Sequence, residues 1–218
     1  MINKLNKMWK ELHNELILLS NYTLTNPREY TLESDNHKVI IELQDSKSST
    51  KNEKEVVVNI FVGLKWNNSL INHHDGWNYQ QCRLLENSEQ DKWWKIQSEL
   101  DIEILKNELI KQLKDTGNSF INMCSTHKGA FEWIKEQQTP TETMLYAQDV
   151  VGKDELKEMI IDWVQTYPRG NTLIDFFDWL ESTKCFPKNE IETIKRKSWQ
   201  TPEIYKNYID TWVRQQRL

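Results

Sequence analysis

The chain has 218 residues, a length that allows one large domain or two small ones. Its 10 tryptophans and 11% aromatic residues exclude the composition of a disordered chain, and its 6 glycines exclude a collagen-like repeat. The formal net charge of −5 lacks the basic surplus that a general nucleic-acid-binding protein carries.

The first predicted element is an amphipathic helix near the N-terminus. Apolar residues recur there at steps of three and four, which places them on one face of a helix. They are Leu5, Met8, Trp9, Leu12, Leu16 and Leu19. Polar residues interrupt this segment and no small-residue cleavage site follows it, so we do not expect a secretory signal.

A period of two, which is typical of β-strands, replaces the helical period after residue 22. Apolar residues occupy every even position from Val56 to Leu64, and Val57 and Phe61 add apolar character to the odd positions. Shorter runs suited to strands lie at 22–25, 29–33, 38–44 and 80–85, with turn-forming residues at 26–27 and 34–36. The pattern predicts an antiparallel meander of four or five strands.

Helical periodicity returns at Trp93. Ile102, Leu105, Leu109 and Leu113 share one face, and Gly117 is expected to end this helix as a left-handed C-cap. Further helices are predicted to start at 139–142, to cover 156–167, to start at Asn171, to cover 187–197 and to start at 201–202. We therefore predict an α+β domain at 1–127, a meander with flanking helices, followed by an all-helical C-terminal extension at 128–218 that packs on it.

Two features bear on the compartment. The chain has three widely spaced cysteines, Cys82, Cys124 and Cys185, an odd number that suits reduced thiols better than a disulfide framework. Its apolar runs are also far shorter than the ~18 residues that a membrane helix needs. We therefore expect a cytoplasmic protein with no membrane partner.

Four segments give the chain a family resemblance. They are the strand at 57–63, the short Arg-containing strand at 82–85, Asp91-Lys92-Trp93-Trp94 before a helix, and the helix end at 146–153. With these segments, the chain resembles an uncharacterised bacterial family, a domain of unknown function. The resemblance implies the α+β fold but no catalytic residues. Since some members are suspected immunity proteins, encoded near bacterial toxins, it also implies such a role here.

The motifs for catalysis or metal binding are sparse. His73-His74-Asp75 lies in a polar loop, where it could bind a metal or move protons, but adjacent histidines without further spaced ligands favour a solvated loop. Cys124 and His127 have a CxxH spacing without a second pair, which favours a buried structural thiol. No glycine-rich phosphate loop, GxSxG or HExxH occurs, and we expect no cofactor and no metal.

A protein-binding surface is the leading functional hypothesis. Trp66 and Trp77 flank the polar loop, and exposed aromatic residues are favoured at interfaces. The predicted partner-binding residues are Trp66, His73, His74, Asp75 and Trp77. The concrete form of the hypothesis is a non-catalytic module that binds another protein, either a bacterial immunity protein or an accessory subunit of a toxin or anti-phage defence complex.

Two alternatives come from other functional classes. A basic run with one aromatic residue, Lys195, Arg196, Lys197 and Trp199, would suit nucleic-acid contact within a larger complex, although such a run is more often a solvated helix face. The second alternative is an unrecognised hydrolase that uses His73, His74 or Cys82.

Overall fold

The computed structural model describes residues 2–15, 21–50, 52–67, 73–86, 93–137, 143, 146–147, 149–166, 181 and 186–199. The chain divides into two compact units, residues 1–136 and 137–218. The predicted domains, 1–127 and 128–218, and the packing of one on the other stay predictions.

An antiparallel sheet forms the centre of the first unit. Its strands are β1 (Thr23–Asn26), β2 (Glu29–Glu33), β3 (His37–Asp45), β4 (Lys54–Leu64), β5 (Asn78–Leu84) and β6 (Trp94–Ile96). The order β1-β2-β3-β4-β5 is a meander, and β6 pairs with 54–56 of β4, beyond the stretch that pairs with β5. The predicted antiparallel meander of four or five strands in an α+β fold is confirmed, since β1–β5 form it, and β6 joins the sheet off this path. The sixth strand starts at Trp94, where helical periodicity was expected to begin.

One side of the sheet, the core face, is apolar along β3 and β4, while β5 adds the buried polar pair Asn78 and Gln80, whose side chains are hydrogen-bonded at 2.7 Å. Its residues in β3 and β4 alternate along the strands, as predicted, and are at most 2% exposed; they are Val39, Ile41, Leu43, Val56, Val58, Ile60, Val62 and Leu64. The first helix, α1 (Ile2–Glu15), buries Leu5, Met8, Trp9 and Leu12. The Tyr30 hydroxyl donates a hydrogen bond to the Trp9 carbonyl and so joins α1 to β2. Burial raises the pKa of Tyr30 to about 12. Leu16 and Leu19 lie outside the described residues.

The helix α2 (Glu99–Gln112) follows β6 and begins at a capping box. The Asp101 carboxylate accepts hydrogen bonds from the backbone N–H groups of Gln97 and Ser98, at 2.8 and 2.7 Å, and this lowers its pKa. The predicted face of the helix is confirmed, since Ile102, Leu105 and Leu109 are buried. Trp94 Nε1 donates to Glu108 Oε2 at 2.9 Å and links β6 to α2.

Gly117 does not end this helix, so the predicted left-handed C-cap is wrong. The chain continues through a π-helical segment (Leu113–Gly117) into α3 (Asn118–Cys124), and Gly117 has a right-handed φ of −63°. A Cβ at Gly117 would lie 3.0 Å from Ile60 Cδ1. The glycine therefore permits close packing of the helix on the core face.

Three further helices are described: α4 (His127–Gln137), α5 (Lys153–Thr166) and α6 (Lys188–Trp199). In the second unit, α5 and α6 bury Leu156, Ile160, Ile191 and Ile194. Lys157 Nζ lies 2.8 Å from Glu190 Oε2 and joins the two helices. The helices predicted at 156–167 and 187–197 are confirmed, while the predicted starts at 139–142, Asn171 and 201–202 lie outside the described residues. Among the described residues, no helix has the length and apolarity to cross a membrane.

Candidate functional site

The side of the sheet opposite the core face, here called the open face, mixes apolar and charged side chains. The strand registers place Ile40 of β3 beside Phe61 of β4, and Phe61 beside Gln81 of β5. Ile40 and Phe61 are half-buried and Gln81 is exposed. Unlike the core face, this surface is therefore accessible around Ile40, Phe61 and Gln81.

A cavity of about 500 Å³ lies on the open face. Its lining combines the apolar side chains of Ile40 and Phe61 with the carboxylates of Glu29 and Glu42 and with Gln81. His73, Asp75 and Tyr79 complete the lining from the loop before β5 and from β5 itself. We call this space the sheet cavity. It combines apolar contact area with a few charged and polar groups, which are the two elements of a binding pocket.

A row of hydrogen-bonded amides fixes the neighbouring side chains. Asn59 is 1% exposed and donates from Nδ2 to Gln44 Oε1 at 2.7 Å. Its Oδ1 accepts from Gln81 Nε2 at 3.0 Å and from Arg83 Nε at 3.2 Å. The guanidinium of Arg83 also lies over the ring of Trp93, 5.8 Å from its centroid. These hydrogen bonds satisfy the buried amide group of Asn59. Asn59 therefore stabilises the geometry of the open face without the free-energy cost of an unpaired buried polar group.

The loop wall of the sheet cavity depends on a tight turn. Gly76 has a φ of +84°, a conformation that favours glycine, and its N–H donates to the His73 carbonyl at 2.9 Å. Asp75 accepts from the Trp77 N–H at 3.3 Å and from the Tyr79 hydroxyl at 2.8 Å. The hydrogen bond from Tyr79 is the main cause that lowers the pKa of Asp75. Burial is the main cause that raises the pKa of Tyr79, and the hydrogen bond to Asp75 raises it further.

A second glycine makes room for this wall. A Cβ at Gly63 would lie 2.7 Å from Tyr79 Cε1 and 3.2 Å from Trp77 Cβ. The first of these distances is shorter than real Cβ contacts allow. The Tyr79 ring therefore occupies the space that a larger residue at Gly63 would take. Its hydroxyl is thereby held at the edge of the sheet cavity, within reach of Asp75.

The two tryptophans of the predicted partner surface are not exposed, which corrects that expectation. Trp66 is 4% exposed and Trp77 is 3% exposed. Lys65 Nζ lies 4.3 Å from the Trp77 ring centroid, and the ring of His127 meets Trp66 edge-on at 4.7 Å. Both indoles are therefore packed in the interior instead of being presented to a partner. The polar composition of the loop had suggested exposure, but it does not reveal which large side chains pack beneath it.

The other predicted loop residues, His73, His74 and Asp75, are exposed. Two of them, His73 and Asp75, line the sheet cavity. Sequence reasoning missed the partners that come from the sheet, Glu29, Ile40, Glu42, Phe61, Tyr79 and Gln81. The available signal was Phe61, a large apolar residue at an odd position of β4, on the side opposite the alternating core residues.

Among the described residues, the cysteines and histidines do not converge. Cys82 pairs with Ile60 on the core face, so it lies on the opposite side of the sheet from the cavity that His73 lines. Burial raises the pKa of Cys82 and raises that of Cys124 to about 12. His127 Nε2 bonds to the Lys65 carbonyl at 3.0 Å. Cys124 is thus the buried thiol that was predicted. In the described part of the chain, no group of three or more His, Cys, Asp or Glu could hold a metal ion.

A second cavity of about 550 Å³ runs along α2 and the π-helical segment. Two polar residues in its lining are engaged within the protein: Glu108 accepts from Trp94 and from Gln112, and Gln112 also donates to the Leu85 carbonyl at 2.8 Å. These bonds connect α2 to the sheet and fix the geometry of this cavity's walls.

The basic run of the nucleic-acid alternative lies in α6 of the second unit. The structure gives the helical backbone of Lys195, Arg196, Lys197 and Trp199, while their side chains lie outside the description. This alternative stays a prediction.

A comparison with protein families agrees with the sequence resemblance at the level of the domain. A family model described as "Domain of unknown function (DUF4304)" matches residues 22–145, more than half of the chain. The matched region contains all six strands and every residue that lines the sheet cavity. No curated protein and no solved structure matches the chain.

Proposed function

The chain belongs to the DUF4304 family, a family of domains of unknown function, and from the geometry of its first unit we propose that it is a non-catalytic protein-binding module. The open face around the sheet cavity is the proposed binding surface. The observation that carries the proposal is the placement of half-buried Phe61 and Ile40 among charged and polar side chains. An accessible apolar centre with a polar rim is the arrangement found at protein interfaces.

The preorganisation of this surface supports recognition. The bonds of Asn59 restrain Gln81 and Arg83, and the hydrogen bond from Tyr79 restrains Asp75. A partner that binds restrained side chains loses less conformational entropy than one that must order them. The sheet beneath is rigid because its other side is the apolar core of the unit.

The two thiol groups that the structure describes, Cys82 and Cys124, support a role without covalent catalysis. A cysteine nucleophile reacts as the thiolate, and burial disfavours that form at both Cys82 and Cys124. Neither thiol lies at the sheet cavity. The residues that do lie there present carboxylates, amides and aromatic rings, which are suited to contact with another protein.

A photo-crosslinking experiment tests the surface. Benzoylphenylalanine replaces Gln81 at the sheet cavity in one variant and replaces Leu100, which is 68% exposed on α2, in the matched control. In cells that contain the native gene neighbourhood, we expect a protein adduct from the Gln81 variant and none from the Leu100 variant. The absence of any adduct at position 81, or the same adduct from both positions, would contradict the proposed surface.

The concrete form that we propose is an immunity protein or an accessory subunit of a defence complex in bacteria. An immunity protein acts by occluding its toxin, so its surface carries the function and no catalytic group is required. Co-expression of the chain with the product of an adjacent gene tests this form. We expect the chain to restore the growth of cells that the adjacent product inhibits, and we expect Phe61→Ala to weaken that rescue. Growth inhibition that the wild-type chain fails to relieve would contradict the immunity form.

A further inference from the structure

The charged groups of the open face follow one cross-strand row. Glu29 of β2 lies directly opposite Glu42 of β3, Glu42 lies opposite Asn59 of β4, and Asn59 lies opposite Arg83 of β5. Two carboxylates therefore stand at one end of the row and a guanidinium at the other, with a neutral amide between them. Since neighbouring strands are about 4.8 Å apart, Glu42 and Arg83 are separated by roughly 10 Å of sheet.

The two carboxylates differ in their surroundings. Glu29 accepts hydrogen bonds from Thr25 Oγ1 at 2.6 Å, from Asn26 Nδ2 at 3.1 Å and from Thr31 Oγ1 at 3.2 Å. Glu42 is half-buried and forms no hydrogen bond or ion pair within the described ranges of the chain. Like charges directly opposite each other on adjacent strands are unfavourable. A cation placed between them would relieve this repulsion and give Glu42 a partner.

The lining of the sheet cavity also fits the shape of a long cationic side chain. Lysine and arginine carry an apolar stem that packs along hydrophobic surface and a charged head that stays among polar groups. Ile40 and Phe61 supply the apolar surface and Glu42 supplies the anionic group. Asp75, which Tyr79 holds in the opposite wall, adds a third carboxylate to those of Glu29 and Glu42 in the same cavity.

We propose that the sheet cavity receives a lysine or arginine side chain of the protein partner, with its stem on Phe61 and Ile40 and its charged head at Glu42. This inference rests on the protein-binding role proposed above and names the chemistry that the partner presents. The charge complementarity favours a basic side chain of a protein over an apolar or acidic one. It also predicts that the partner surface is basic where it meets β2 and β3.

Titration with single-residue probes tests this chemistry directly. The probes are N-acetyl-arginine methylamide and N-acetyl-lysine methylamide, and N-acetyl-norleucine methylamide is the uncharged control with a similar stem. In two-dimensional amide NMR spectra of the full chain, we expect the cationic probes to shift the amide signals of Ile40, Glu42 and Phe61. Equal shifts with the norleucine probe, or no shift with any probe, would overturn the proposal.

Glu42→Gln is the decisive variant, because it keeps the size of the side chain and removes its charge. Loss of a hydrogen bond to a charged group should weaken binding of the cationic probes about tenfold. Glu103→Gln, an identical change at an exposed position of α2, should leave their binding unchanged. An unchanged affinity in Glu42→Gln, with a folded spectrum, would overturn the proposal.

Two further arms separate the possible sources of the cation. Spermidine and magnesium chloride represent small free cations, and binding of either more tightly than the arginine probe would overturn the assignment to a protein side chain. The photo-crosslinking variant at Gln81 separates this inference from the proposed function. If the adduct forms equally well with and without Glu42→Gln, the protein-binding role stands and the cationic contact is wrong.

Discussion

The two faces of the sheet use the same strands for different purposes. Along β4, Ile60 on the core face is fully buried and its neighbour Phe61 on the open face is half-buried. The core-face positions of β3 and β4 are apolar and buried, whereas the open face mixes aromatic, amide and carboxylate groups. Because adjacent residues of a strand point to opposite faces, substitutions one position apart should separate stability from binding. The predictions that follow test this separation, beginning with the largest expected effect.

Trp77 is an exception to this division between a buried core face and an accessible open face. It belongs to the loop of the site and yet is buried. Trp77→Ala should lower the free energy of unfolding by about 3–5 kcal/mol, the usual cost of truncating a large buried aromatic side chain. Urea unfolding followed by circular dichroism measures this. Leu100→Ala, at a 68% exposed position, should change the free energy of unfolding by less than about 0.5 kcal/mol. Equal unfolding midpoints for Trp77→Ala and wild type would show that the indole is not part of the packed interior.

The adjacent pair Ile60 and Phe61 gives the sharpest comparison of the faces. Ile60→Ala should lower the free energy of unfolding by about 3 kcal/mol because it leaves a cavity in the core. Phe61→Ala, at a half-buried position, should lower the free energy of unfolding by about 1 kcal/mol. The main effect there is the loss of apolar surface that the side chain buries. Thermal unfolding measures both. Binding of the partner should show the reverse order, with the larger loss in Phe61→Ala. The same order in both measurements would contradict the division into two faces.

The sequence predicted the core face well because its pattern is local. Five successive apolar residues at even positions of β4 fix both the strand and its buried side, and the pattern of α2 does the same for Ile102, Leu105 and Leu109. The strand β6 was missed because three residues are too few to show a period of two. The helical pattern that follows it also extends the apparent helix backwards to Trp93.

The sheet cavity could be predicted only in part. His73 and Asp75 were identified as candidate residues, but their partners come from β2, β3 and β4, which are distant in sequence. Strand alternation places Glu42 and Phe61 on the same side of the sheet without showing that a cavity lies between them. Gly117 shows the same limit, because a glycine that permits close packing and a glycine that ends a helix look alike in the sequence.

Gly63 tests whether close packing on the open face positions the site. A Cβ at this position would lie 2.7 Å from Tyr79 Cε1, so Gly63→Ala should displace the Tyr79 ring and cost about 1–3 kcal/mol of unfolding free energy. Gly152→Ala is the control, because it lies in the second unit and has no atom within 4 Å of its added Cβ. Only Gly63→Ala should shift the ring resonances of Tyr79 in NMR spectra. Unchanged resonances would show that the ring does not depend on this glycine.

Tyr79→Phe should have the smallest effect, since it removes one hydroxyl and keeps the ring. Because the Tyr79 hydrogen bond is the main cause that lowers the pKa of Asp75, this pKa should rise in the variant. A carboxyl group with a lowered pKa in the folded state stabilises the fold above its unfolded pKa, near 3.9. That stabilisation is lost as the pH falls through the folded pKa. The stability difference between wild type and Tyr79→Phe should therefore be constant near pH 7 and shrink below about pH 4.

Carboxyl NMR titration measures this change with an internal control. Asp101, whose lowered pKa depends on the backbone N–H of Gln97 and on Ser98, lies on α2 and should titrate identically in both proteins. An unchanged pKa at Asp75 would mean that the hydroxyl does not hold the carboxylate in the cavity wall. A different outcome would separate two roles within one cavity. In it, Tyr79→Phe raises the pKa of Asp75 and weakens binding of the arginine probe less than Glu42→Gln does. Asp75 would then shape the wall, and Glu42 would hold the charge of the ligand.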